Sequence, residues 1–94
     1  ARAWSATGIW IKLMRWVTEE GERRSRRDLQ RWRKARARSD GSHFAAAAKA
    51  QAQWERWPVD LAPGDRRVLS GDARQHRARL AARQQAASRQ NGIT

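Results

Sequence analysis

Basic residues are concentrated in one short segment of this chain, and that segment limits the possible folds more than any other feature. The sixteen positions from Arg23 to Arg38 hold nine basic residues and one acid, Asp28, a net charge of +8 in a chain that totals +12. Charge of one sign at this density repels itself and destabilises a compact state unless an anionic partner neutralises it. The segment therefore predicts an anionic partner and a fold that keeps this stretch on the surface.

Composition predicts a small helical protein with a thin core. Leu, Ile, Val and Phe supply only 12 of the 94 residues, whereas there are 18 alanines and six tryptophans. Alanine favours helix, and each tryptophan can bury ~150–250 Å². Strand-like alternation of apolar and polar residues does not persist anywhere. We expect an all-α fold, a small helical hairpin or a bundle of three to four helices, in a single domain spanning residues 1–94.

Apolar periodicity and breaking residues divide this domain into segments. An apolar and then basic stretch over 7–38 is one helix or a helix pair, because Glu-before-Arg pairs at i, i+4 can offset the cost of Gly21. Turn residues at 39–42 precede an Ala/Trp helix over 42–57, which Pro58 ends. Residues 58–71 are predicted to be a connector with a short helical turn, because Ser70-Gly71 resembles a break. A basic helix over 72–94 follows, in which Leu80 is the one large apolar residue as far as Gln90.

Large apolar residues at helical spacing are the candidates for core or partner packing. Trp32 shares a helix face with Leu29, which favours core packing over stacking on a nucleic-acid base. The full set predicted to pack in the core or against a partner is Trp10, Leu13, Met14, Val17, Leu29, Trp32, Phe44, Trp54 and Trp57.

The basic segment forms a stripe when it is wound as a helix. Its five stripe residues lie within about 80° of one another and extend over roughly 22 Å. A row of this kind suits consecutive phosphates, and arginine suits bidentate phosphate contacts. The predicted phosphate-contact stripe is Arg23, Arg27, Arg31, Lys34 and Arg38. The residues predicted to point sideways, toward a second strand or another subunit, are Arg24, Arg26, Arg33 and Arg36. A secondary basic patch is predicted at Arg74, Arg77 and Arg83.

These features predict a non-enzymatic, nucleic-acid-binding accessory subunit of a larger nucleoprotein assembly. We expect it to contact phosphates without sequence specificity, with RNA or single-stranded DNA as the favoured partner, and to contact other protein subunits or copies of itself. Two alternatives remain open, a module that docks on an acidic protein and a cationic amphipathic protein of the membrane surface. The segment GIWIKLMRWV has the composition of an interfacial helix, but the strongest basic segment lies outside it.

Catalytic and ligand-binding chemistry is not expected from this sequence. No serine has a patterned base beside it, and His43 and His76 are the only histidines in a chain without cysteine. We therefore expect no catalytic residue, metal, cofactor or small-molecule substrate. The absence of a long apolar run or signal-like segment makes a cytoplasmic location the default expectation.

Two segments, WIKLMRWVTEEGERR and WERWPVDLAPGDRRVL, resemble in composition and texture stretches of the small subunits of multi-subunit CRISPR effector complexes. Those subunits are short, helical, Arg-rich and Trp-containing, and they hold a guide or displaced strand without cutting it. The resemblance covers no defined motif and carries no functional residue over to this chain. Ribosomal proteins, plasmid-transfer accessory factors and phage packaging proteins fit the same description.

Overall fold

Three helices make up the protein in a computed structural model, which describes residues 6–92. In chain order they are α1 (Ala6–Arg38), α2 (Ser42–Arg56) and α3 (Pro63–Gly92). No strand occurs among the described residues, so the all-α prediction is confirmed. Helix α2 contacts both α1 and α3. Within residues 6–92, no helix combines the length and the apolar character that a membrane crossing requires.

Helix α1 is continuous through Gly21, which resolves the choice between one helix and two. Ion pairs of Glu20 with Arg23 (2.6 Å) and Arg24 (3.9 Å) bridge this glycine. Gly21 is itself buried, and a Cβ added there would overlap the ring of Trp57. The glycine therefore stabilises the fold by allowing a close approach between α1 and the end of α2, which outweighs its low helix propensity.

The turn between α1 and α2 is formed by the residues that the sequence predicts. Ser39 and Gly41 both adopt positive φ angles, 55° and 88°. The carboxylate of Asp40 accepts hydrogen bonds from the amide of Ser42 (2.9 Å) and from its hydroxyl (2.6 Å). These bonds hold the pKa of Asp40 below its ordinary value of 3.8. Asp40 thus satisfies a free amide at the start of α2.

Helix α3 is longer than the sequence predicts. The predicted division into a connector with a short turn over 58–71 and a separate helix over 72–94 is wrong, because one helix runs from Pro63 to Gly92. The predicted end at 94 lies outside the described residues. Leu69 and Ala73, on either side of Ser70-Gly71, are both buried in the core. Packing on both sides outweighs the ~1 kcal/mol that one helical glycine costs.

The core is small and lies where α2 sits against the other two helices. Its buried members are Leu29, Trp32, Ala47, Ala50, Leu69 and Ala73. Trp32 is only 1% exposed, and its indole nitrogen donates a hydrogen bond to the carboxylate of Asp72 on α3 (3.0 Å). The alanines on α2 let the helices approach closely around this one large ring. The core placement predicted for Leu29 and Trp32 is confirmed.

The other predicted packing residues divide into two groups. Phe44, Trp54 and Trp57 are half-buried, and Trp54 borders the core, where its indole nitrogen donates to the carbonyl of Val59 (2.8 Å). The core placement is wrong for the residues near the start of α1, namely Trp10, Leu13, Met14 and Val17, all of which are exposed. Helix α1 extends past the end of α2, so no part of the described chain covers this segment.

We use the name apolar collar for the seven exposed large side chains at the start of α1. The collar consists of Ile9, Trp10, Ile11, Leu13, Met14, Trp16 and Val17. At the other end of the molecule, every residue from Arg77 to Gly92 of α3 is exposed. The short bundle therefore carries two projecting helical arms.

Candidate nucleic-acid interface

All nine basic residues of α1 between Arg23 and Arg38 lie on the surface. The side of α1 that faces the bundle is lined instead by small or apolar residues and one acid, and its buried members are Gly21, Ser25, Asp28, Leu29, Trp32 and Ala35. Because these recur at three- and four-residue intervals, they occupy one face of the helix. The predicted stripe is therefore left on the outer side of α1 and along its edge toward α2.

A positively charged cleft follows the line where α1 meets α2. Arg24, Arg27, Arg31 and Lys49 line one hollow of this cleft, together with Asp28 and Gln53. Arg31 also lines the next hollow with Lys34 and Arg38. We call these two adjoining hollows the basic groove and define it by its six cations, Arg24, Arg27, Arg31, Lys34, Arg38 and Lys49.

Four of the six cations of the basic groove form no ion pair of 4.0 Å or less with any described residue. At the two ends of the groove, Arg24 lies 3.9 Å from a carboxylate oxygen of Glu20 and Arg38 lies 3.5 Å from one of Asp40. By contrast, no ion pair of 4.0 Å or less within residues 6–92 involves Arg27, Arg31, Lys34 or Lys49. Asp28 is the one acid among the residues that line the hollow of Arg24, Arg27, Arg31 and Lys49. It is only 7% exposed. The groove thus has excess positive charge where its walls are most accessible.

The stripe itself is only partly in this groove. Arg27, Arg31, Lys34 and Arg38 line it, whereas Arg23 lies outside it and donates a hydrogen bond to Glu20 (2.6 Å). A charge-assisted bond of this length ties down the guanidinium. Of the five stripe residues, Arg23 is therefore the least available to an external phosphate.

Two of the four sideways arginines are engaged within the chain. The prediction that Arg33 and Arg36 point toward a second strand or another subunit is wrong for these two, because α3 lies on that side of α1. Arg33 donates to Asp65 (3.1 Å), and Arg36 lies 3.4 Å from the carboxylate of Asp72. Arg26 lies 4.0 Å from Glu22 of its own helix, and Arg24 lines the basic groove.

The secondary residues Arg74, Arg77 and Arg83 are not brought together on one face. Arg77 donates to the side-chain oxygen of Gln51 on α2 (3.1 Å). Arg83 lies nine positions beyond Arg74 in the same continuous helix, which at about 100° per residue is half a turn away. These residues add general positive charge and do not form a second groove.

Sequence reasoning misses Lys49, because nothing in its local sequence marks it. It stands among alanines of α2, and its position opposite Arg27 and Arg31 depends on how α2 pairs with α1. Tertiary pairing of this kind leaves no periodic signal in the sequence.

A second feature that sequence reasoning misses is a pocket at the end of the basic groove. Its walls include the indoles of Trp16 and Trp57 and the guanidiniums of Arg24 and Arg56. We call it the indole pocket. It shares Arg24 and Gln53 with the hollow that Arg27, Arg31 and Lys49 line, so the two lie side by side.

Other site chemistry is sparse in the described part of the chain. Residues 6–92 contain no group of three or more His, Cys, Asp or Glu side chains placed to hold a metal ion. His43 is packed against Phe44, with ring centroids 4.0 Å apart. The charged groove and its adjoining pocket are therefore the features with the clearest chemistry.

Comparisons with protein-family models, with curated proteins and with solved structures found no match.

Proposed function

We propose that this protein is a non-enzymatic subunit that binds the phosphate backbone of nucleic acid, without sequence specificity, within a larger cytoplasmic nucleoprotein assembly. The observation that carries the proposal is a row of exposed cations in the basic groove that form no ion pair of 4.0 Å or less within residues 6–92, namely Arg27, Arg31, Lys34 and Lys49. Phosphate contacts of this kind give affinity and position a strand but carry no sequence information.

The chemistry of the row fits phosphate better than a compact acidic ligand. From Arg27 to Arg38 the α1 residues of the groove extend over roughly 16 Å of helix axis, a distance that suits a repeating anion. Guanidinium groups form bidentate bonds to phosphate oxygens. The row therefore supports a partner with several regularly spaced charges.

The apolar collar supports the assembly part of the proposal. Seven large side chains at the start of α1 are exposed together, and exposed apolar patches of this kind mark interaction sites. Sister or partner subunits would cover the collar residues other than Trp16 and Val17, which line the indole pocket, while the groove holds a strand. A CRISPR effector complex is one assembly in which a short helical subunit has this role, and the resemblance of the two segments favours it as an example.

A second candidate function is binding to a membrane surface. The observation in its favour is the collar itself, in which apolar side chains surround Lys12 and Arg15 without any acid between Ala6 and Thr18. Co-sedimentation with anionic vesicles tests it, because an interfacial helix stays bound at moderate salt whereas simple charge attraction does not.

Salt titration of binding tests the proposed function directly. If Arg27, Arg31, Lys34 and Lys49 each neutralise one phosphate, the log–log slope of affinity against salt is about −2.8 on single strands and about −3.6 on duplex DNA. The double variant Arg27→Ala/Arg31→Ala should flatten that slope by about 1.4–1.8, at roughly 0.7–0.9 for each phosphate that the variant no longer neutralises. Binding should weaken equally on unrelated sequences.

The matched control is Arg67→Ala/Arg89→Ala, which removes the same charge from exposed positions on α3 outside the groove. Its slope should stay close to that of the original protein. Equal flattening by both double variants would assign the effect to net charge and reject the groove. Failure of the original protein to bind any nucleic acid at low salt would reject the function and favour an acidic protein partner.

A further inference from the structure

We propose that the basic groove holds a single strand and that one unpaired base of this strand stacks on Trp16 in the indole pocket. This inference rests on the proposed function and adds the type of strand and the site that selects it. Base stacking on exposed aromatic rings beside a positively charged groove is how proteins bind single strands without sequence preference.

Trp16 presents an accessible ring next to the end of the groove that Arg24 lines. The residue is 64% exposed and lies five positions before Gly21, the first buried residue of α1. Arg24 and Gln53 line both the pocket and the groove, so the two lie side by side, and a strand bound in the groove would bring a neighbouring nucleotide to Trp16. A base that covers this ring removes apolar surface from water.

Trp57 forms a firmly held wall of the same pocket. Its ring rests directly on Gly21 of α1, where no side chain intervenes. Its backbone amide donates to the carbonyl of Gln53 (2.8 Å), and its carbonyl accepts from the hydroxyl of Ser25 (2.6 Å). This wall of the pocket is therefore in place before any ligand arrives, which lowers the entropic cost of binding.

The charges at the pocket suit the phosphates on either side of a stacked base. The guanidinium of Arg56 lies 5.7 Å from the centroid of the Trp57 ring, and Arg24 lies on the side toward the groove. The only acid lining the pocket, Glu20, is already engaged by Arg23 (2.6 Å) and Arg24 (3.9 Å). Its negative charge is thus compensated within the chain.

Only an unpaired base can use this arrangement. In a duplex the flat faces of the bases are covered by their neighbours, and taking one out requires unpairing and unstacking. A duplex can therefore offer its phosphates to the basic groove but no free base face to Trp16. The pocket should raise affinity for single strands and leave affinity for duplexes unchanged.

The test is Trp16→Ala in the full chain, with binding measured for a short oligothymidine and for a blunt-ended duplex of equal length. The matched control is Trp10→Ala, because Trp10 is equally exposed, at 63%, lies on the same helix and does not line the pocket. Circular dichroism on each variant checks that the helices remain. Trp16→Ala should weaken oligothymidine binding by about five- to 150-fold, the range measured for loss of one base–aromatic stack. Duplex binding should stay within about twofold, and Trp10→Ala should change neither.

Three results would overturn the stacking site. They are unchanged oligothymidine binding by Trp16→Ala, an equal loss on single strand and duplex, and an equal loss in Trp10→Ala. If any of these occurs while Arg27→Ala/Arg31→Ala still flattens the salt slope, phosphate binding in the basic groove is supported and only base stacking on Trp16 is rejected. If the original protein binds neither probe, both the inference and the proposed function fail.

Discussion

The two halves of α1 differ in a way that their sequences do not suggest. The first half, residues 6–20, carries seven large apolar side chains, and all of them are exposed. The second half, residues 21–38, is dominated by charge, yet it supplies Leu29 and Trp32 to the core. The difference arises because α2 runs back along α1 only as far as Gly21, where Trp57 ends it. Burial in this molecule is decided by which segments have a neighbour.

The largest expected effect that tests this contrast is the loss of the core indole. Trp32→Ala should lower the free energy of unfolding by ~3–5 kcal/mol, the usual cost of removing a large buried aromatic ring. It also leaves Asp72 without its hydrogen bond from the indole nitrogen. Urea unfolding followed by circular dichroism measures the change.

Trp10→Ala is the matched control from the exposed half, and it should change the free energy of unfolding by less than ~0.5 kcal/mol. Similar costs for Trp10→Ala and Trp32→Ala would mean that the collar is packed in solution, and the contrast between the two halves would fail.

The boundary between the halves is tested by Gly21→Ala. Alanine is ordinarily the better helix residue by ~1 kcal/mol, but here its Cβ would overlap the ring of Trp57. We expect overpacking to prevail and to lower the free energy of unfolding by ~1–3 kcal/mol.

Gly71→Ala supplies the opposite expectation in the same kind of position. It lies inside α3 with open space where the Cβ would be, so alanine should raise the free energy of unfolding by ~0.5–1 kcal/mol. Thermal unfolding of the two variants gives both signs in one experiment. A stabilising Gly21→Ala would show that Trp57 does not sit on α1.

A smaller effect on the free energy of unfolding is expected at Ser25, which joins the packed half of α1 to the end of α2. Its buried hydroxyl donates to the carbonyl of Trp57 (2.6 Å) and lies 3.0 Å from that of Gln53, which joins α1 to the end of α2. Ser25→Ala should lower the free energy of unfolding by about 1 kcal/mol, the net value of one such bond. Ser88→Ala, at an exposed position of α3, should have almost no effect in the same denaturant titration. Equal losses of stability in Ser25→Ala and Ser88→Ala would mean that the hydroxyl of Ser25 does not join α1 to α2.

The sequence predicts the local features of this fold better than the pairings between helices. Helical periodicity identifies the faces of Leu29 and Trp32 correctly, and the turn at 39–42 follows from its residue types. Periodicity does not say which neighbour covers a face, so near the start of α1 it predicts core or partner packing alike, and of these two only core packing is wrong. Ser70-Gly71 has the residue types of a helix break. The sequence does not show that α3 continues through it, because the continuation is stabilised by the burial of Leu69 and Ala73, which depends on the docking of α3.

The candidate site follows the same division. The exposure of the basic row follows from its helical spacing, because the buried residues of α1 share the opposite face. The ion pairs of Arg33 and Arg36 with Asp65 and Asp72 join residues more than thirty positions apart, beyond the reach of local patterns. Lys49 and the indole pocket depend likewise on the antiparallel pairing of α1 and α2.

The two projecting arms affect how fast this protein diffuses and where it elutes from a sizing column. Its radius of gyration is 19.3 Å and its extents are 73 × 36 × 19 Å, whereas a compact chain of this length has a radius of gyration of about 12 Å. A monomer of this shape diffuses slowly and elutes early from a sizing column calibrated with spherical standards. Apparent mass from elution volume would imitate an oligomer, so the number of copies in any assembly should be measured by light scattering or sedimentation equilibrium, which report mass without assuming a shape.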